Sequence, residues 1–512
     1  MKYILLLIFI FSSSFAQNSS DIINRQIKDL EEKKAFEQRV VDEQQKNSLN
    51  FDNELIKIDQ DKKEENCIEI NKINILGSTI FKNSDFKDLI KPYLNKCNGI
   101  KNLSNLRDKI SNKYIDKGYV TSRAYFKAED LTTKKLNIYI LEGKIEKIES
   151  ENINISNLFI NHKDKVLNLR DLETIVKQAE RLQSQKLDLQ LIPSQKEGYT
   201  EVKIFNHSLE NKLFGNIGIN NFGQDKTGKY QIYSNLNYEN LFGISDIFSL
   251  NLNSTNHALK TNDKTLGTSI NYSFPVDRFL FDIYYNYSNY KQINKDNFSS
   301  NYQSNGNNYS FGIDSSYKLF HSYKHSIELL LNYENKYTKN YLNDVKLDLQ
   351  SYNISSLSAG FKHNYKSDTF DYYSKLMVKK GLSGNKDDIS KQDIYFTKYL
   401  FDLGFNKYFN TANNLKYNFY LRGQYSNNNL FGTEEISMGG VYSVRGFNDE
   451  GLYGNKGFYT RNELSQMYQI DSLIISPYLG LDYGYVSNNI YSLGGELYGF
   501  VFGSRIYLKN LA

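Results

Sequence analysis

The sequence predicts an exported chain that ends in an antiparallel transmembrane β-barrel, led in by two small α+β units and one N-terminal helix. Three observations point there. The chain opens Met1-Lys2-Tyr3, runs apolar from Ile4 to Phe11 and offers Ser14-Phe15-Ala16 for cleavage, the layout of a secretory signal over 1–16. Between about residues 67 and 206 the apolar period switches repeatedly between two and 3.6. After about residue 206 helical periodicity is gone, and segments of about 10–14 residues alternate apolar or aromatic with polar positions, as a wall between lipid and water must.

Composition narrows the class further. The 512 residues include 42 Tyr and 32 Phe, no Trp and only 4 Pro. A formal net charge of +5 is small for this length and gives no case for nucleic acid as a partner. No internal run reaches the roughly 18 apolar residues of a spanning helix, which leaves strands as the means of crossing a membrane.

Residues 17–47 are charged and polar. Ile23, Ile27, Leu30 and Val41 sit near helical spacing, and Ser20 or Asp21 is placed to cap the start. This predicts a sparse amphipathic helix, either a solvated tail or a polar plug in a wet lumen. Residues 48–66 read as a linker. A first α+β unit spans 67–142. Its strand Ile68–Ile75 is followed by helical spacing at Phe86, Leu89, Ile90 and Tyr93 and again from Leu103 to Ile115. Gly118 ends that helix, and strands follow at Tyr119–Lys127 and Leu136–Leu141. Cys67 and Cys97 are the only cysteines; in an exported chain such a pair favours a disulfide, here from the first strand to the end of the first helix. Closing a loop of about 30 residues would stabilise by roughly 3–4 kcal/mol in the chain-entropy model. A second unit spans 143–206, with a helix opening at Asn168-Leu169-Arg170-Asp171-Leu172-Glu173 and strands near 187–191 and 200–205.

The remaining residues, 207–512, hold fourteen alternating segments, of which 414–427, 457–468 and 473–486 flank the most informative stretch. Leu415, Tyr417, Phe419 and Leu421 suit lipid, while Lys416, Asn418, Tyr420 and Arg422 suit a wet interior. A soluble β-sandwich repeat or a propeller would also alternate, but the strand length, the aromatic load and the export signal favour the barrel.

Between two of these strands lies Gly439-Gly440-Val441-Tyr442-Ser443-Val444-Arg445-Gly446-Phe447. Its Val444-Arg445-Gly446-Phe447 tetrad resembles the loop signature of the BamA-like outer-membrane superfamily, which implies a loop folded back into the barrel with its Arg on the inner wall. Gly480-Leu481-Asp482-Tyr483-Gly484 resembles that superfamily's wall motif. Alternation turns Gly480, Asp482 and Gly484 inward, so Arg445 paired with Asp482 is the expected contact. Arg461 and Glu463 are expected as further inward polar residues. Strand–helix–helix–strand–strand over 67–142, and the shorter unit after it, resemble POTRA domains. Lys117-Gly118-Tyr119-Val120-Thr121-Ser122-Arg123, Leu141-Glu142-Gly143 and Asn168–Glu173 together resemble the paired domains of two-partner secretion transporters of the haemolysin-activator (ShlB/FhaC) type.

That resemblance implies a 16-stranded barrel with the signature loop between the eleventh and twelfth strands, the gap in which this loop falls. Because fourteen segments are read, the sequence is expected to be a fragment or to have a truncated C-terminus; a true 14-stranded barrel is the alternative. The resemblance also implies periplasmic POTRA domains that capture an unfolded, large secreted TpsA-type exoprotein (haemolysin- or adhesin-like), outer-membrane lipid around the barrel, and no nucleic acid or nucleotide. A passive porin or adhesin barrel, and an assembly insertase, are the competing readings. The six His stand apart from the cysteines and from any Ser motif, and there is no phosphate-binding Gly loop. No catalytic set, metal site or cofactor is expected.

Overall fold

Turn chemistry and alternation account for most of the elements seen. In a computed structural model of the chain, the described residues are 32–33, 55–58, 66–207, 211–225, 227–255, 263–295, 301–322, 324–409, 415–447, 451–490 and 493–508. The expected signal peptide, and the expected N-terminal helix apart from Glu32 and Lys33, lie outside them.

In the first unit the apparent single strand is two. β1 (Ile68–Ile70) pairs antiparallel with β3 (Lys96–Asn98), whereas β2 (Lys72–Leu76) runs parallel to β5 (Lys135–Leu141), which also pairs β4 (Arg123–Tyr125). The disulfide Cys67–Cys97 forms, and it staples the β1–β3 pair; Cys97 lies on β3, not at a helix end. The expected first helix is a chain of short turns, Asn83–Phe86, Lys87–Ile90 and Lys91–Tyr93. Pro92 has no N–H to carry a regular helix on. The helix Ile100–Asp116 is regular. It buries Leu106, Ile110 and Tyr114 completely, against Phe86, Leu136 and Ile138.

The second unit repeats the plan with β6 (Lys144–Glu151), the helix Leu169–Ala179, β7 (Leu187–Pro193) and β8 (Tyr199–Asn206), in the order β6-β8-β7. Leu172, Ile175 and Val176 of the helix fill its core.

A single 16-stranded antiparallel sheet follows. Its strands are β9 (Leu213–Asn220), β10 (Gln231–Glu239), β11 (Ile247–Thr255), β12 (Lys264–Val276), β13 (Phe279–Lys295), β14 (Asn301–His321), β15 (His325–Leu342), β16 (Val345–Lys346), β17 (Tyr352–Lys366), β18 (Phe370–Asn385), β19 (Thr397–Phe409), β20 (Leu415–Tyr425), β23 (Gly457–Gln466), β24 (Tyr468–Ile470), β25 (Leu473–Val486) and β26 (Gly495–Leu508). The hairpin β21 (Ile436–Met438) and β22 (Leu452–Gly454) stands apart from the sheet, inside the β20–β23 connection. β16 and β24 are short additions to hairpins, so the wall itself is made of the fourteen long strands. Among the described residues β9 pairs only β10, and β26 only β25.

One face of this sheet is apolar and exposed: Ile217, Leu376, Leu481, Phe500 and Phe502 all point outward. The other face is polar and laced together. Asn235 Nδ2 donates to Asn251 Oδ1, Asn271 Nδ2 to Asp282 Oδ1 and Asn332 Nδ2 to Asp314 Oδ1. Such alternation is the pattern of a lipid-facing barrel wall.

The second unit is seated on the turns at one end of the barrel. Asn157 Nδ2 donates to the Ile244 and Pro275 carbonyls at 2.9 and 2.7 Å. Arg181 Nη2 donates to the Ser245 and Ser273 carbonyls at 2.8 and 2.9 Å. The backbone N–H groups of Gln183 and Ser184 reach the Glu239 carboxylate, and Asp171 forms an ion pair with Arg278.

Candidate functional site

The β20–β23 connection leaves the barrel end opposite the second unit and turns back inside. Gly439, Gly440 and Gly446 take positive φ values of 108°, 141° and 104°, which lets so short a segment reverse. Val444 is fully buried with Met438, Tyr459 and Val486, and Phe447 packs against the same cluster.

This places Arg445 on the wall. Its Nε and Nη2 donate to the two oxygens of Asp482 at 2.7 Å each, a bidentate fork, and its backbone N–H donates to Asp482 Oδ2 at 3.0 Å. Nη1 donates to Glu463 Oε2 at 2.8 Å, and Nη2 also reaches the Asn462 carbonyl at 3.3 Å. Glu463 is shared with Arg505 on β26, whose Nη1 lies 2.7 Å from Oε1. Arg445, Asp482, Glu463 and Arg505 thus form a charge-balanced set of two cations and two carboxylates.

The glycines of the wall explain themselves by contact. A Cβ at position 480 would stand 2.4 Å from Arg445 Nη2, and one at 484 would stand 2.4 Å from Met438 Sδ and 2.8 Å from Val444 Cγ2. Gly499 on β26, which the sequence reading did not single out, would bring a Cβ to 2.4 Å from the Arg445 carbonyl. Its signal was available: Gly499, Val501 and Arg505 alternate with the exposed Phe500 and Phe502. Arg461 stands in register with Tyr420 on one side and Asp482 on the other, on the same strand phase as Glu463. Cys67 and Cys97 are in the first unit, away from this wall.

The motifs of the two α+β units converge at their junction. Leu169 N–H donates to the Gly118 carbonyl at 2.8 Å, and Asn168 caps its helix by accepting from Arg170 N–H. Gly143 N–H donates to Ser122 Oγ, and Leu167 N–H to the Gly143 carbonyl. Gly118 has φ +92°, and a Cβ there would meet Asn168 Oδ1 at 2.4 Å. Glu142 accepts from the Thr79 and Ile80 N–H groups and from the Tyr114 hydroxyl. Among the described residues no group of three or more His, Cys, Asp or Glu is arranged to hold a metal ion.

Known proteins share this fold. The model of the haemolysin secretion/activation protein family ShlB/FhaC/HecB matches residues 198–506. The chain belongs to this family. A ShlB-type POTRA model matches 68–143 and a second POTRA model 144–193. The outer membrane transporter CdiB of Dickeya dadantii is 29% identical over 420 residues, 80% of this chain and 74% of that protein. The hemolysin transporter protein HpmB of Proteus mirabilis is 28% identical over 435 residues, 83% and 77% of the two chains. The solved structure of CdiB from Escherichia coli superposes with a TM-score of 0.83 at 26% identity, covering 96% of this chain and 92% of that one. The ShlB/FhaC-type chain described here is therefore an outer-membrane transporter of two-partner secretion, with POTRA domains in the periplasm. The barrel end that carries POTRA contacts faces the periplasm, and the inserted loop enters from the outer end.

Proposed function

We propose that this transporter takes an unfolded TpsA-type exoprotein from the periplasm and that the Arg445 clamp keeps the inserted loop in its working position. The observation that carries the reading is the clamp: a bidentate guanidinium on a loop, with Asp482 fully enclosed beneath it. Breaking a buried pair by removing one partner costs about 3–5 kcal/mol, because the other charge is stranded. That is enough to free the tip of the loop from the wall.

Two further features support the path. In the first POTRA domain, the order β2-β5-β4 leaves β2 at an edge. A groove of about 650 Å³ runs along it, lined by Ile73, Asn74, Ile75 and Leu76 and by Lys87 and Lys91 on the facing turns. An unfolded chain can add to such an edge by backbone pairing, which recognises extended conformation more than sequence. In the barrel, Glu32 is buried and Lys33 Nζ lies 5.5 Å from the Tyr233 ring centre. Both belong to the segment 17–47, which we assign as a plug that cargo displaces.

The test is secretion of the cognate exoprotein together with channel recording on the same preparations. Arg445→Ala should abolish secretion while the barrel still inserts and keeps its heat-modifiable mobility. Removal of 17–47 should raise conductance. Normal secretion by Arg445→Ala sinks the clamp's role, and unchanged conductance sinks the plug.

A further inference from the structure

A second, oppositely charged anchor lies on the same loop, on a different part of the wall. Just before β21 the loop carries Glu434, whose side chain is 1% exposed. Three wall lysines converge on it: Lys336 of β15 at 3.2 Å, Lys379 of β18 at 2.8 Å and Lys398 of β19 at 2.8 Å. Glu334 of β15 braces them, 2.8 Å from Lys379 and 3.5 Å from Lys336. The loop backbone is held too. Lys398 Nζ and Gln424 Nε2 donate to the Glu434 carbonyl, and Lys336 Nζ donates to the Thr433 carbonyl. Next to this, Leu430 and Phe431 pack on Tyr352, Ile354 and Phe396.

We propose that Glu434 is a positioning residue for translocation, a second anchor that fixes the outer limb of the loop and masks three lysines from the lumen. Charge counting gives it that role. Among the described residues three paired lysines face two carboxylates, a net charge of one; without Glu434 the same pairs would hold three against one. Like charges brought together in a poorly solvated place repel strongly, so the site needs a carboxylate delivered by the loop. The two anchors also differ in level. Leu400, Gln424 and Gly457 are linked in register across β19, β20 and β23. Lys398 stands on the outer side of that line, and Glu463 lies well to its inner side. One anchor therefore holds the loop near the rim and the other holds its tip inside, and the loop stays fully docked only while both are made. This rests on the loop being an inserted element of a secretion channel.

The experiment uses the full-length transporter with Ser443→Cys as a reporter. Both native cysteines are in the disulfide, so this is the single free thiol among the described residues. Ser443 is 1% exposed, so a charged, membrane-impermeant maleimide labels it only when the loop moves. Glu434→Gln should raise the labelling rate by roughly tenfold or more and should shift the reversal potential towards anion preference. Adding Lys379→Met to Glu434→Gln restores the original net charge, and should return the selectivity while labelling stays fast. A role in packing alone predicts no such return. Labelling and reversal potential within about twofold of the parent would overturn the proposal. Should Glu434→Gln fail to assemble, Lys379→Met with Lys398→Met removes the contact from the wall side; it must raise labelling, and no rise overturns the idea equally. Normal secretion by Arg445→Ala alongside fast labelling in Glu434→Gln would remove only the role given to Arg445.

Discussion

The POTRA domains and the barrel use one sequence signal, strand alternation, with opposite polarity. In the first POTRA domain Phe86, Leu106, Ile110 and Tyr114 are wholly enclosed, and polar side chains face water. In the barrel Leu481 is 63% and Phe500 64% exposed to the surroundings, while Lys336, Asp402 and Asp482 are buried. Lipid takes the place of the core, and the interior becomes a space where charges must find each other. The difference teaches where each region is vulnerable. The POTRA domains depend on apolar volume, and the barrel interior depends on charge partnership.

Core truncation should break the comparison most visibly. Leu106→Ala should cost the first POTRA domain about 2–5 kcal/mol, the range for a large-to-small change in a closed core. It should be read as a lower urea midpoint for protease protection of the periplasmic part, with the barrel's heat-modifiable mobility unchanged. A loss confined to the barrel would contradict the inverted polarity.

A charge on the outer face sharpens it from the other side. Leu481→Arg puts a guanidinium in lipid, at a cost of about 2–4 kcal/mol near the bilayer midplane. Its neighbour Asp482 is already charged and stable, because it turns to the other side of the same strand and meets Arg445. The expected readout is a lower urea midpoint for the refolded barrel in lipid vesicles, with the Ser443→Cys reporter still protected. An unchanged midpoint would mean that this face is not lipid-exposed.

How much of this could be read from residues alone follows from range. The long strands are legible because alternation is local: β25 falls on the 473–486 segment that turn residues and period mark out. Arg445 and Asp482 could be matched because each sits in a short motif that carries its own context. Glu434 has no such context. Its partners lie some 98, 55 and 36 positions away, on three strands whose lysines look like any other inward polar residue. The split of β1 from β2 at Asn71 was hidden for the opposite reason. The alternation runs straight through it, and only the separate partners β3 and β5 divide the run. The short turns of 83–93 keep helical spacing in their apolar residues, which is why they read as one helix.

The smallest effect tests a charge that the POTRA domain does enclose. Glu142 directly follows β5 and receives four hydrogen bonds, from the Thr79 N–H and hydroxyl, the Ile80 N–H and the Tyr114 hydroxyl. Burial alone would raise its carboxyl, but these donors outweigh burial and hold it below the usual carboxylate range. A folded-state value below the unfolded one means that the contribution is fully present above the unfolded value, about pH 4.3, and is lost as pH falls through the folded value. The POTRA domain should therefore lose protease protection on acidification below about pH 4. Glu142→Gln keeps the shape and an acceptor oxygen but removes the titration. It should start lower at neutral pH and lose part of the acid-dependent fall, leaving a shallower slope. Equal slopes for the two proteins between about pH 5 and pH 3 would show that the acid sensitivity lies with other carboxylates, and that Glu142 is held there by shape and not by charge.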